Sequence, residues 1–221
     1  MTSPARPSPP NPHAAALAQY RRRAGVYNAE LTLFEPIRRT TIERLALRRG
    51  DTVIDVGCGT GLSLPLLHRA VGGGGQIVGI EQCPEMLAQA RDCVRRHRWH
   101  NVTLIQSSAE DAVLACRADA ALFHFTHDIL RAPRALANVA AALRPGARVT
   151  ASGLQWASVW AWPLNLFVLG AALHSVSSLA GLDRPWSLLA ASLDELTVEP
   201  LLGGAVFLAQ GVRRANQEST R

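Results

Sequence analysis

The apolar positions of this 221-residue chain fall into short blocks rather than one long periodic run. Residues 52–56, 76–81, 102–106, 118–125 and 148–153 are brief runs rich in Val, Ile, Leu and Ala, which is the texture of strands buried on both faces. Between them, residues 62–70, 84–97 and 135–143 read as helices, and Leu87, Ala90 and Val94 form an apolar stripe at helical spacing. Pro84 stands where a first helical turn accepts proline, and Arg144-Pro145-Gly146 stops the third of these helices. Residues 72–75 are a glycine loop, and 196–200 with 205–210 read as a closing hairpin around 201–204. Residues 14–28 and 36–47 have helical character upstream. Strands alternating with helices predict an α/β fold: a mostly parallel seven-stranded sheet, covered on both faces, with an antiparallel C-terminal strand.

Composition narrows this picture only a little. A hydrophobic fraction of 48% and a charged fraction of 18% describe a globular chain with a substantial core. The net charge of +6 comes from arginine alone, scattered in short clusters without interleaved aromatics or a zinc signature, so no nucleic-acid partner is expected. Cys58, Cys83, Cys93 and Cys116 have no metal-ligand spacing and read as free thiols, which points to the cytoplasm. Residues 1–13 are rich in Pro and polar residues, lack the apolar core of a leader, and are expected to form a disordered tail.

The chemistry begins at Val53-Ile54-Asp55-Val56-Gly57-Cys58-Gly59-Thr60-Gly61. A buried strand runs directly into a turn whose glycines permit positive φ and close approach of a ligand. Gly57, Gly59 and Gly61 are spaced G-x-G-x-G, and Leu62 stands where a dinucleotide fold wants its third glycine. Glu81 closes the next apolar run, Gln76-Ile77-Val78-Gly79-Ile80-Glu81, at the length of one β-α-β unit. A carboxylate at that strand tip can accept hydrogen bonds from both hydroxyls of a ribose.

Asp55 with this glycine turn resembles the first motif of class I S-adenosylmethionine-dependent methyltransferases, and Glu81-Gln82-Cys83-Pro84-Glu85-Met86 resembles the second. The resemblance covers about residues 45–212 and implies a Rossmann-like sandwich that binds S-adenosylmethionine. It implies cofactor contacts at Asp55, Gly57, Cys58, Gly59, Gly61, Glu81, Gln82 and Met86. Further along it implies Ser108, Ala109 and Glu110 near the adenine, with Asp111 a rival to Glu110, and Phe123 at the fourth strand tip. Tyr20 and Tyr27, in an N-terminal helical lid over 14–48, are expected to cover the cofactor. The domain proper is expected over 49–212, followed by a C-terminal tail at 213–221.

His124 and His127 follow the fourth strand. Histidine can serve as a general base near neutral pH, but methyl transfer needs a base only when the acceptor must lose its proton early. A base, a hydrogen-bonding group and a structural part therefore remain open for each, and no metal is expected. Residues 149–182 contain no Asp, Glu, Lys or Arg, and hold Trp156, Trp160 and Trp162. Residues 154–182 read as a cap that walls an apolar acceptor pocket or forms a homodimer face, with peripheral membrane contact as the rival. Arg184-Pro185-Trp186 and this cap loosely resemble ubiquinone- and phospholipid-type methyltransferases. The expected function is methyl transfer to a small or lipophilic acceptor. Aminocarboxypropyl transfer, a membrane-surface lipid or quinone methyltransferase, and a noncatalytic binding module are the alternatives.

Overall fold

The computed structural model describes residues 34–158, 160–175, 179 and 181–214. The predicted tail, the helix at 14–28 with Tyr20 and Tyr27, and residues 215–221 lie outside them. The described elements are α1 (Glu35–Arg44), β1 (Thr52–Val56), α2 (Leu64–Val71), β2 (Gln76–Glu81), α3 (Pro84–His97), β3 (Val102–Gln106) and β4 (Ala118–His124). There follow α4 (His127–Leu130), α5 (Pro133–Ala142), β5 (Leu143–Leu154), α6 (Trp162–Ser175), α7 (Ser187–Ala190), β6 (Leu193–Leu201), a 3-10 turn (Leu202–Gly204) and β7 (Val206–Arg213).

The strands form a seven-stranded sheet in the order β3-β2-β1-β4-β5-β7-β6. The first five pair in parallel, and β7 runs antiparallel between β5 and β6. Strand alternation sends Val53 into one core layer and Ile54 with Val56 into the other, which is why β1 reads as a continuous apolar run. Val53, Ile77 and Leu122 pack with Leu45, Leu64, Leu67 and Ala90 from the helices on one face. Ile54, Ile80, Phe123 and Ala151 pack with Leu136, Val139 and Leu189 on the other. A third cluster joins Ile37 of α1 and the preceding Phe34 to Leu154, Val168, Leu182 and Val206, fixing α1 and α6 to the same end of the sheet.

Element bounds differ from the sequence pattern where local chemistry outweighs it. The first helix ends at Arg44 rather than Leu47, because Ala46 turns to φ +46°. Strand β5 extends back to Leu143 through Arg144-Pro145-Gly146, since Leu143 already pairs with Ala118. Strand β6 starts at Leu193, ahead of a bulge between Asp194 and Thr197 where Glu195 adopts φ +53°. Strand β4 stops at His124 because Phe125 turns to φ +56°.

Candidate active site at the strand tips

In an open α/β sheet the ligand crevice lies beyond the carboxyl ends of the strands, and here the polar side chains gather there. The glycine turn leaves β1 with Gly57, Gly59 and Gly61 at φ +73°, +56° and +84°. The reasons for glycine differ along it. A Cβ on Gly57 would lie 2.6 Å from Thr126 Cγ2, and one on Gly61 would lie 2.9 Å from Leu64 Cδ1, so both permit close packing. A Cβ on Gly59 would meet nothing within 4 Å, so this glycine borders open space.

Glu81 faces that turn across the gap between β2 and β1. Its Oε2 accepts a hydrogen bond from the Gly59 N–H at 3.0 Å, and its Oε1 accepts one from the Cys83 N–H at 2.7 Å. Burial pushes the carboxyl pKa up, and bonds from the Cys83, Gly59 and Gln82 backbone N–H groups oppose the rise. Each carboxylate oxygen keeps lone-pair capacity beyond these bonds, so the group is oriented yet able to accept more donors. Cys58, Met86 and Ala109 are buried, and the Ser108 hydroxyl donates to Asp111 at 2.8 Å. Glu110 and Asp111 share the exposed Arg134, at 3.7 and 3.5 Å. Phe123, at the tip of β4, packs in the same core layer as Ile54, Ile80 and Ala109.

The α1 side of the sheet holds a polar layer that the sequence reading missed. Asp55 pairs in register with Leu122, Leu122 with Thr150, and His124 with Ser152, so Asp55, His124, Thr150 and Ser152 share one face. Helix α1 lays Arg38 and Thr41 over them, with Arg38 2% exposed and ion-paired to Glu35. The Thr41 hydroxyl lies 2.7 Å from the Ile37 carbonyl and 2.9 Å from Ser152 Oγ, which lies 2.8 Å from His124 Nδ1. Thr41 has one proton. If it donates that proton to the carbonyl, Ser152 donates to Thr41 and His124 Nδ1–H donates to Ser152, and every bond in the chain is made. That arrangement leaves the His124 Nε2 as a lone-pair acceptor.

Arg38 Nε, Asp55 Oδ2, His124 Nε2 and Thr126 Oγ1 are buried with no hydrogen-bond partner among the described residues. Buried polar atoms are normally paired, so a cluster of such atoms at strand tips fits a polar ligand with both donors and acceptors. Burial raises the Asp55 pKa to about 7, with Arg38 opposing and Glu81 reinforcing the shift. Burial, reinforced by the Arg38 charge, lowers the His124 pKa to about 3. The two histidines therefore separate: His124 is a neutral imidazole and a weak base. His127, the first residue of α4, lines a small cavity with Phe125, Ser152, Gly153 and Phe207. The signal for the missed layer was Thr150 and Ser152 alternating within the apolar run of β5, which marks a polar stripe on one face. Nothing in the sequence places Arg38 over it.

Of the expected apolar cap, Trp156 packs into the cluster that holds Phe34 and Phe125. Trp160 and Trp162 instead are 91% and 66% exposed. Among the described residues no group of side chains could hold a metal ion.

This strand order, with a glycine turn after β1 and an acid at the tip of β2, defines a Rossmann-like methyltransferase sandwich. Residues 53–146 match the family described as a methyltransferase domain, and S-adenosylmethionine is the cofactor of the class that this fold and domain resemble. Among curated relatives, nocamycin O-methyltransferase of Saccharothrix syringae is 30% identical over 166 residues, which is 71% of this chain and 57% of that protein. An uncharacterized 37.1 kDa protein in a Streptomyces fradiae transposon is 31% identical over 53% of this chain and 34% of its own length. The chain thus spans well under two thirds of either relative. An O-methyltransferase family protein from Burkholderia thailandensis superposes with a TM-score of 0.67 at 18% identity, covering 91% of this chain and 62% of that one. A methyltransferase from Aquifex aeolicus gives 0.57 at 21% identity, covering 84% and 93%.

Proposed function

We propose that the chain transfers a methyl group from S-adenosylmethionine to a small, apolar acceptor. The observation that carries this reading is Glu81 held by three backbone N–H groups against the Gly57–Gly61 turn. Its remaining lone pairs suit two ribose hydroxyls, and the open space over Gly59 leaves room for the cofactor backbone. Glu110 is the proposed partner of the adenine amine, with Ser108 and Ala109 beside it. Asp55, Arg38 and the His124 Nε2 supply the polar atoms at the methionine end.

Held by Glu81 and the Gly57–Gly61 turn, the cofactor would supply a methyl group made electrophilic by its positive sulfonium, the carbon–sulfur bonding electrons returning to sulfur. The chain's own part is alignment and exclusion of water. Phe34 and Phe125, with ring centroids 4.7 Å apart, close α1 against the tip of β4. Where an acceptor must lose a proton, His127 is the proposed base, because His124 is held neutral and weakly basic. The O-methyltransferase named among the relatives supports a hydroxyl-bearing small molecule as the acceptor class. Release of S-adenosylhomocysteine from S-adenosylmethionine with a panel of phenolic and alcoholic small molecules tests the reading. Turnover with at least one acceptor, lost in Glu81→Ala, is the expected result. Cofactor binding without turnover of any acceptor would favour a noncatalytic module, and release of methylthioadenosine instead would indicate aminocarboxypropyl transfer.

A further inference from the structure

Thr41 of α1 and Ser152 of β5 are fully buried polar side chains to which the function proposed above gives no part. Their hydrogen bonds have a direction. The Thr41 hydroxyl carries one proton, and the Ile37 carbonyl at 2.7 Å can only accept it. Ser152 Oγ, at 2.9 Å, then donates to Thr41, and His124 Nδ1–H, at 2.8 Å, donates to Ser152. The reverse order, with Ser152 donating to Nδ1, leaves one of the three contacts without a proton. An unmade bond between buried groups is costly, so the first order wins.

The partner of one ring nitrogen decides the state of the other. With its proton on Nδ1, His124 has a bare Nε2, and that atom is buried with no hydrogen-bond partner among the described residues. The ring meets Phe125 edge-on, with centroids 4.8 Å apart and planes at 75°, which fixes its orientation. Burial and the Arg38 charge keep the imidazole neutral, so no second proton masks the lone pair.

Arg38 is near enough to act on both Asp55 and His124 through its charge. The atoms left without partners there are of both kinds: Arg38 Nε is a donor, while His124 Nε2 and an ionised Asp55 Oδ2 are acceptors. Among the groups of S-adenosylmethionine, only the ammonium of its amino-acid end is a charged N–H donor. We propose that Thr41 and Ser152 are positioning residues that hold His124 as the Nδ1–H tautomer, so that its bare Nε2 accepts from that ammonium. Helix α1 thereby sets the direction in which the ring's hydrogen bond runs at the site. The ammonium contact rests on the cofactor reading given above; the tautomer does not.

Thr41→Val removes the hydroxyl at nearly constant shape. Ser152 then keeps a proton whose remaining acceptor in the chain is His124 Nδ1, and the ring proton moves to Nε2. Long-range proton–nitrogen correlation spectra of the imidazoles, recorded on the full chain without ligand, read this directly. The expected result is Nδ1–H in the wild type and in Thr41→Ser, which restores the hydroxyl, and Nε2–H in Thr41→Val. Ser152→Ala removes the Nδ1 partner itself and should give a mixture of tautomers, which keeps the test open if Thr41→Val does not fold. Calorimetry supplies the second readout. Thr41→Val should bind S-adenosylhomocysteine about 10- to 150-fold more weakly, the loss of one hydrogen bond to a charged group. Methylthioadenosine, which lacks the amino-acid end, should bind variant and wild type within about twofold. An Nε2–H wild type, a tautomer unmoved in Thr41→Val or Ser152→Ala, or equal losses for the two ligands would overturn the proposal. A wild type that binds neither ligand would overturn the cofactor reading, and the imidazole spectra would still decide the relay from Thr41 to His124.

Discussion

Replacing Glu81 with Gln isolates what its carboxylate contributes while keeping its size. In the wild type both oxygens are engaged, one by the Cys83 N–H at 2.7 Å and the other by the Gly59 N–H at 3.0 Å. A glutamine amide must turn its NH2 toward one of those donors, so this 9%-exposed side chain leaves a ribose hydroxyl without its charged acceptor. Hydrogen bonds to a charged group contribute about 1.5–3 kcal/mol each. At about 1.4 kcal/mol per tenfold, S-adenosylhomocysteine should bind roughly 10- to 150-fold more weakly. Calorimetry at pH 8 is the assay, because burial raises the Glu81 pKa and acid conditions would neutralise the wild type toward the variant's state. The 2′,3′-dideoxy analogue should lose affinity for the wild type and little more for the variant, a coupling that a purely structural Glu81 would not show. Affinities within about twofold, or additive losses in the cycle, would refute the ribose assignment.

Gly59→Val should remove cofactor binding by filling the open space over the turn, and thermal melting should show a folded chain with some loss of stability from a valine at φ +56°; retained affinity would sink the assignment. With an acceptor that carries an ionisable proton, His127→Ala should lower kcat by about 10²–10⁴-fold and erase the acidic limb of the pH profile. His124→Ala should leave that limb in place, and the opposite pattern would reverse the two roles. The pKa shifts of Asp55 and His124 also predict the pH course of stability. Asp55, raised to about 7, favours the fold at low pH, and this contribution falls as pH rises from its unfolded value near 3.8 through 7. His124, lowered to about 3, opposes folding below its unfolded value near 6.5, so its contribution rises over much of the same range. The two slopes, each about 1.4 kcal/mol per pH unit, offset between about pH 4 and 6.5. Urea unfolding of His124→Gln should expose a stability that declines with rising pH there, and an unchanged profile would contradict the buried pair.

The parts of the site that lie on one continuous segment were legible in the sequence. Asp55, the glycine turn and Glu81 are joined by a single β-α-β unit, so strand pattern and spacing together place them at adjacent tips. The polar layer under α1 was not legible, because Arg38 and Thr41 meet His124 and Ser152 only through tertiary packing, with Thr41 and Ser152 111 residues apart. The histidines illustrate the same limit. Residues three apart in sequence received one shared reading, yet strand register buries His124 beneath α1 while the turn at Phe125 carries His127 to a separate cavity. The charge-free run at 149–182 marked an apolar segment but not which of its tryptophans face inward. That depends on how α6 is rotated against Phe34 and Val206.

Backbone amide chemical-shift mapping of the full chain, titrated with S-adenosylhomocysteine, tests the central claim most directly. The account predicts saturable shifts concentrated at Gly57–Gly61, Glu81–Cys83 and Ser108–Asp111, extending to Arg38 and His124. Absence of shifts, or shifts confined to surfaces away from the strand tips, would contradict it.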